Sequence, residues 1–219
     1  MDTIEENIIR NNRAFEEMLK IAKERLKNRI PEDIVQRSGA TFRGEDFVLG
    51  LLSLNQMVRV SIPEYTFCPQ LEEWHQLVAL HYLDLADGMD VSDQIITFGE
   101  LKNGLVRGSK FDRYIENELQ RFLKGKTLKS ICKICKSLGA EFLDSNADVC
   151  AVFPFLPNYP VWLKVWLADE EFEAFGKFYI SESANHYLSM EDAVTVGEIL
   201  LSKLKIQEKE YFKDDNNKQ

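Results

Sequence analysis

The segment PVWLKVWLA, residues 160–168, constrains the fold more than any other part of the chain. Aliphatic residues occupy every second position, and the positions between them are aromatic or basic. The aliphatic positions are Val161, Leu163, Val165 and Leu167. The positions between them are Trp162, Lys164 and Trp166. A period of two is typical of a β-strand with one buried face, so we predict such a strand here.

Helical periodicity marks other parts of the chain. Six segments carry apolar residues three and four positions apart, which predicts helices with one apolar face. These segments are residues 3–29, 31–38, 69–88, 109–125, 127–139 and 189–204. Pro31 and Gly39 suit the start and the end of the second helix. Ser109 and Thr127 suit the N-caps of the fourth and fifth helices. Ser189 and Asp192 form an S-x-x-D capping signature at the start of the sixth helix, and Asn103-Gly104 predicts a bend.

Further strands are predicted on both sides of the third helix. They fall in residues 40–52, 56–62, 94–97, 140–145, 148–156 and 175–181, and residues 53–56 (SLNQ) suit a hairpin turn. Because helices and strands come in runs and do not alternate strictly, we predict a single α+β domain. Its mainly antiparallel sheet packs with several helices. We divide the chain into an N-terminal helical segment (1–39), an α+β core (40–206) and a polar tail (207–219).

The charge of the chain argues against two classes of partner. The net charge is -9 and the pI is about 5.0, whereas binding to phosphates requires a basic surface. We therefore expect no nucleic-acid partner and no membrane partner. The N-terminus carries acids where a secretory signal carries bases, and no apolar run approaches the ~20 residues that cross a bilayer. We expect a cytoplasmic protein whose four cysteines are reduced.

Several separated marks resemble an uncharacterised bacterial and archaeal family, a domain of unknown function. One mark is Trp-x-x-Asp-Glu-Glu-Phe after a proline-bounded strand, and another is Tyr-Leu-x-x-Glu-Asp at a helix start. Here they are Trp166, Asp169, Glu170, Glu171, Phe172, Tyr187, Leu188, Glu191 and Asp192. Upstream marks are His81, Tyr82, Leu83, Gly88, Phe98, Glu100, Leu101 and Gly104. Together the marks cover most of residues 40–204.

The resemblance implies a context and not a reaction. Some members of the family are fused to a four-cysteine iron–sulfur domain and occur in anaerobes, which implies corrinoid or redox enzyme systems. This chain departs from those members because it has no four-cysteine module. An iron–sulfur or corrinoid protein is therefore expected as a partner, and no cofactor of the chain itself follows from the sequence.

The tripeptide His-Tyr-Leu occurs twice and holds two of the three histidines. His81 falls on the flank of a helical apolar stripe, whereas His186 precedes a helix. A true internal repeat would preserve secondary structure, so we do not interpret the tripeptide as a repeat. Two interpretations are possible, and we favour the second. Either the two histidines converge in space on a ligand, or each imidazole makes a buried hydrogen bond and each Tyr-Leu pair fills the core.

Cys132 and Cys135 have the C-x-x-C spacing of a metal-binding or redox pair. The same spacing on a helix suits two small core residues, and we favour that interpretation because Cys68 and Cys150 are isolated. We predict no metal site.

Two features near the predicted strand 160–168 also have two interpretations. The acidic turn ADEEFEAFG could hold a hard cation, but it lacks EF-hand spacing. We favour a solvated turn with Phe172 tucked under the sheet. Trp162 and Trp166 could form a ligand platform, but we favour a helix that covers and buries them.

Three hypotheses for function follow. The first is a non-catalytic accessory or ligand-binding protein of anaerobic corrinoid or redox cofactor metabolism. The second is an enzyme with a carboxylate–histidine site built from His81, Glu100, Glu171 and His186. The third is a protein-interaction module. The candidate ligand-binding residues are His81, Glu100, Trp166, Asp169, Glu171 and His186.

Overall fold

Helices and strands occupy separate runs of the chain, and the fold is α+β, as predicted. The computed structural model describes the backbone of residues 4–42 and 48–216 and the side chains of residues 13–42 and 48–211. Its helices are α1 (Ile4–Lys27), α2 (Pro31–Ser38), α3 (Glu73–Leu85), α4 (Gly104–Leu123), α5 (Leu128–Ser137) and α6 (Met190–Asn216). Its strands are β1 (Thr41–Phe42), β2 (Val48–Ser53), β3 (Gln56–Ser61), β4 (Phe67–Cys68), β5 (Ile95–Ile96), β6 (Glu141–Phe142), β7 (Val149–Leu156), β8 (Tyr159–Trp166) and β9 (Phe175–Ser181). Thr3 of the first predicted helix and residues 43–47 of the first predicted strand segment lie outside the described residues.

Two antiparallel sheets are formed by the described part of the chain. One has the order β1-β2-β3-β4 and the other the order β5-β9-β8-β7-β6. The hairpin predicted at residues 53–56 joins β2 to β3. Its tip meets the second sheet, where the backbone N–H of Leu54 donates to the carbonyl of Pro154 at 2.8 Å. Buried residues of both sheets and all six described helices form one core cluster, so this is a single domain.

Strand β8 confirms the predicted period of two. Val161, Leu163 and Val165 are fully buried, while Trp162 and Trp166 remain half-buried on the opposite face. The prediction that a helix buries the tryptophans is wrong. Helix α4 packs on the other face of the sheet, at Gly176 of β9, where an added Cβ would lie 3.0 Å from the Leu123 side chain.

Helix α4 begins five residues earlier than predicted. It starts at Gly104, directly after Asn103 with its left-handed φ of 67°, so the bend at Asn103-Gly104 is confirmed and the N-cap role of Ser109 is wrong. Glycine disfavours helix, but Gly104 and Gly108 let this turn press against the carbonyl of Phe98. Tertiary packing therefore overrides the local propensity.

Helix α6 begins with the predicted S-x-x-D cap and continues beyond the predicted core boundary. It runs to Asn216, whereas the sequence indicates a polar tail from residue 207. Lys205 bonds Glu118 of α4 at 2.6 Å, and Glu208 pairs with Lys126. These contacts explain why the helix continues past residue 207, although the polar composition of that segment indicated no helix.

Candidate functional site

The two His-Tyr-Leu tripeptides lie against each other. Tyr82 belongs to α3, and Tyr187 directly follows the short 3-10 helix Glu182–His186. Their rings are stacked, with centroids 5.8 Å apart and an interplanar angle of 20°. Both tyrosines and the leucines that follow them are buried, so the predicted core role of the Tyr-Leu pairs is confirmed. The fold thus brings the two elements together.

Each histidine is paired with the aspartate that follows the other tripeptide. Nδ1 of His81 lies 2.7 Å from Oδ1 of Asp192, and Nδ1 of His186 lies 2.7 Å from Oδ2 of Asp87. In the sequence, Asp87 and Asp192 stand at the same distance after the histidine of their own tripeptide. The full shared pattern is therefore His-Tyr-Leu-x-x-x-Asp, and its two copies are cross-paired.

The exposed pair affects the acidity of its carboxyl group. The hydrogen bond from His186 holds the pKa of Asp87 below its usual value, and the backbone N–H of Met89 adds to this effect. The hydroxyl of Tyr187 donates to the carbonyl of Met89. This second pair therefore fastens the loop after α3 to the entry of α6.

The cap of α6 orients the carboxylate beside His81. Ser189 donates its backbone N–H and its hydroxyl to Oδ2 of Asp192, at 3.3 Å and 2.6 Å, and its Oγ accepts from the Asp192 N–H. The other carboxylate oxygen of Asp192, Oδ1, is therefore available to bond the imidazole of His81. An ionised carboxylate only accepts, so Nδ1 of His81 carries the proton in this pair. In an uncharged imidazole whose Nδ1 carries the proton, Nε2 is an acceptor. No described residue bonds Nε2 of His81.

A groove between α3 and α6 contains this histidine. Its volume is about 850 Å³, which is within the range of pockets for small molecules. Met18 of α1 and Arg107 of α4 border it. Its apolar surface comes from Met18, Trp74, Leu77, Val78 and Ile199. Its polar side chains are Glu72, Glu73, His81, Arg107, Ser189, Glu191, Asp192, Thr195, Glu198 and Ser202.

The groove is acidic, and most of its charges are paired. Lys203 bonds Glu72 at 2.7 Å, and Arg107 bonds Glu191 at 3.1 Å. Together with the pair of His81 and Asp192, these contacts leave Glu73 and Glu198 without an ion-pair partner among the described residues.

The comparisons with known proteins agree with the resemblance found in the sequence. A model of a domain of unknown function, DUF3786, matches residues 31–203. The chain belongs to this family. No curated protein and no solved structure matches the chain. The matched segment contains both copies of His-Tyr-Leu-x-x-x-Asp and every groove residue named above except Met18, because α1 lies outside the segment.

Of the six predicted site residues, only His81 lines the groove. His186 is linked to it through the tyrosine stack. Glu100 accepts from the backbone N–H and the hydroxyl of Thr97, at 2.8 Å and 2.9 Å, and these bonds lower its pKa. The structure therefore does not bring Glu100, Glu171 and His186 to His81 in this groove, as a four-residue site would require.

The other three predicted site residues lie at the end of β8 and in the acidic turn after it. The indole of Trp166 donates to the carbonyl of Asn146 at 3.3 Å. Oδ1 of Asp169 accepts from the N–H groups of Glu171 and Phe172, and these bonds lower its pKa. The turn is exposed, and the prediction that Phe172 lies under the sheet is wrong, since 70% of its surface is exposed.

Sequence reasoning missed the partner of His81. The sequence predicts Asp192 only as a helix cap and a mark of the family resemblance, and it gives Trp74 no role beyond its place in the third helix. The signal for Asp192 was present, because the aspartate recurs at the same offset after both tripeptides. No local signal marks Trp74, since its exposure depends on how α1 and α6 flank α3.

The cysteine pair on α5 lies at the core. Burial raises the pKa of Cys135 to about 12 and also raises that of Cys132. A thiol with so high a pKa is a poor nucleophile and a poor metal ligand. Among the described residues, no three His, Cys, Asp or Glu side chains cluster in a way that could hold a metal, and no helix is long and apolar enough to cross a membrane.

The third histidine is buried and uncharged. Nε2 of His75 lies 2.7 Å from Oγ of Ser53, which donates to the carbonyl of Phe155 at 2.9 Å. Since that hydroxyl proton is used, Nε2–H donates to Ser53. Burial, followed by the charge of Lys203, lowers the pKa of His75 from 6.5 to about 4, while Glu72 opposes this shift.

This depressed pKa predicts a loss of stability in mild acid. Between pH 6.5 and about 4 the unfolded chain protonates His75 and the folded chain does not. The free energy of unfolding should therefore fall by up to roughly 3 kcal/mol across this window because of this residue. The check is urea denaturation from pH 7 to 4. The difference in slope between wild type and His75→Gln isolates the residue, and equal slopes for the two proteins would contradict the prediction.

Proposed function

We propose that the chain binds a small organic ligand in the groove between α3 and α6, with His81 as the central polar contact. The observation that carries this proposal is the pair of His81 and Asp192 beside a groove of about 850 Å³. Ligand sites are typically concave and mostly apolar, with a few fixed polar groups. A hydrogen-bonded imidazole beside Trp74, Leu77 and Val78 meets that description.

The orientation of His81 supports a role toward a ligand. Its Nδ1 is fixed by Asp192, which is itself fixed by the cap of α6. The imidazole therefore cannot turn without breaking a bond to a carboxylate. Its Nε2 stays available as an acceptor, which suits a hydroxyl or an amine of the ligand.

The proposal also includes a biological setting. We propose an accessory role in anaerobic corrinoid or redox cofactor metabolism, in the cytoplasm, with an iron–sulfur or corrinoid protein as partner. The resemblance described above supports this setting, and the groove supplies a place for a ligand.

The test is anaerobic purification followed by native mass spectrometry and a visible spectrum. We expect an added mass on the wild-type chain, a dissociation constant about tenfold higher in His81→Gln and a correspondingly lower occupancy, since a good hydrogen bond to a ligand contributes on the order of 1.4 kcal/mol. His186→Gln is the matched control, because it removes the other imidazole–carboxylate pair, neither member of which lines the groove.

Two outcomes would contradict the proposal. One is an added mass that His81→Gln retains at wild-type occupancy. The other is a wild-type chain that carries no added mass and gains none from an anaerobic extract of cell metabolites. A colourless preparation without bound corrinoid, haem or metal would count against the proposed setting alone.

A second candidate function, an acid–base enzyme, is favoured by the free Nε2 of His81. An imidazole whose Nδ1–H is held by a carboxylate is the usual form of a general base. If the bound ligand is converted, His81→Gln should reduce the rate by about 10²–10⁴-fold and His186→Gln should not. This candidate uses Asp192 as the carboxylate in place of Glu100 and Glu171.

A further inference from the structure

We infer that the ligand of the groove is an elongated organic cation, an amine whose charged end lies beside Trp74 and whose other end donates a hydrogen bond to His81. This inference rests on the proposed function, because it assigns a chemical class to the ligand of that groove.

The charges of the groove favour a cation. Glu73 at the start of α3 and Glu198 on α6 face the groove, and neither has an ion-pair partner among the described residues. Arg107, which borders the groove, is already bonded to Glu191 at 3.1 Å. Among the described residues of the groove, an anionic ligand would meet two unpaired carboxylates and no unpaired cation. The positive charge of an amine would be attracted by both carboxylates.

The aromatic ring that lines the same groove as these carboxylates favours the same class of ligand. Trp74 is 51% exposed, although its ring contacts Phe15 edge-on with centroids 5.2 Å apart. Tryptophan is the best aromatic partner for a cation, and the contact is strongest when both groups are shielded from water. Two carboxylates and an indole are a common combination for binding an organic ammonium group, since they combine charge with an apolar surface.

The spacing of the polar groups sets the length of the ligand. The contacts of His81 with Asp192 and of Glu72 with Lys203 show that α3 and α6 run antiparallel. From Trp74 to His81 along α3, the rise of 1.5 Å per residue gives about 10–11 Å. Between these ends the groove is lined by the apolar side chains of Leu77, Val78 and Ile199. A ligand with an ammonium group, an apolar middle and a terminal donor fits this order.

The test uses three linear probes of equal length. A linear amino alcohol of about eight carbon atoms spans the required distance. The alcohol of the same length without the amine is the neutral comparator, and the hydroxy-carboxylate is the anionic one. Binding is followed by the indole N–H signal of Trp74 in NMR spectra of the full chain, assigned with Trp74→Phe.

We expect the amino alcohol to shift the Trp74 signal and to bind about tenfold more tightly than the neutral alcohol, with no binding of the anion. Raising the salt concentration should weaken only the amino alcohol. The double variant Glu73→Gln/Glu198→Gln should lose this tenfold preference. Glu32→Gln/Glu170→Gln, which removes two exposed charges outside the groove, should keep it.

The results that overturn the inference differ from those that overturn the proposed function. Equal affinity for the amine and the neutral alcohol, a tighter anion, or an unchanged preference in Glu73→Gln/Glu198→Gln would refute the cationic ligand and leave the groove as a binding site. An amino alcohol that leaves the Trp74 signal unmoved would also refute it. The native mass spectra of the His81→Gln and His186→Gln variants test separately whether the groove is a binding site.

Discussion

Replacing Tyr82 by alanine is expected to lower the free energy of unfolding by about 3–5 kcal/mol. The ring is fully buried and stacks on Tyr187. Its hydroxyl donates to the carbonyl of Ser38 at 2.6 Å and accepts from the N–H of Asn158 at 3.0 Å. Alanine would leave a cavity, and it would leave a buried carbonyl and a part-buried N–H without this partner, and each loss is costly. Equilibrium denaturation in urea measures the effect.

Further variants divide this cost into its sources. Tyr82→Phe removes only the hydroxyl and should cost about 1–2 kcal/mol. Tyr114→Ala removes a half-exposed tyrosine of α4 and should cost much less. A double-mutant cycle of Tyr82 with Tyr187 should give a coupling of about 0.5–1.5 kcal/mol for the stack. Additive effects in that cycle would show that the two tripeptides are neighbours without being coupled.

Replacing Gly108 by alanine is expected to lower the free energy of unfolding by about 3 kcal/mol. An added Cβ would lie 2.0 Å from the carbonyl oxygen of Phe98 and 2.4 Å from its carbonyl carbon. Both atoms belong to the backbone, so no side chain can turn away. The carboxylate of Asp112 holds this backbone through the N–H groups of Phe98 and Gly99, at 3.1 Å and 2.8 Å. Differential scanning calorimetry and urea denaturation measure the loss.

The sign of this effect separates local from tertiary causes. Within an isolated helix, alanine is more favourable than glycine by about 1 kcal/mol. A stabilised Gly108→Ala protein would therefore contradict the close contact between α4 and Phe98. Val106→Ala, an exposed position of the same helix, is the control and should change stability by less than about 0.5 kcal/mol.

The elements that the sequence predicted well are those with local causes. The alternation of β8 matches its buried and half-buried positions, and the hairpin between β2 and β3 lies at the predicted turn. Pro31 opens α2, Gly39 ends it with φ of 70°, and Thr127 forms a capping box with Ser130 at the start of α5. Each of these signals acts between residues that are close in the sequence, so a short segment is enough to predict the structure it forms.

The elements that were predicted wrongly have distant causes. Helix α4 starts at Gly104 because Phe98 packs on its glycines. The tryptophans of β8 stay half-buried because α4 covers the other face of the sheet. Phe172 is exposed because hydrogen bonds to Asp169 close the acidic turn on itself. Propensity and periodicity do not contain this information.

The candidate site divides in the same way. The elements that carry it follow from local sequence signals, and they are an apolar helix with His81 and a capped helix with Asp192 at its third position. The acidic composition, which argues against phosphate binding, is also read directly from the chain. The packing of the folded chain is what brings His81 to Asp192 and His186 to Asp87, across sequence separations of 111 and 99 residues. These pairs depend on how α3 packs against the start of α6, and side-chain packing across such separations leaves no periodic signal in the chain.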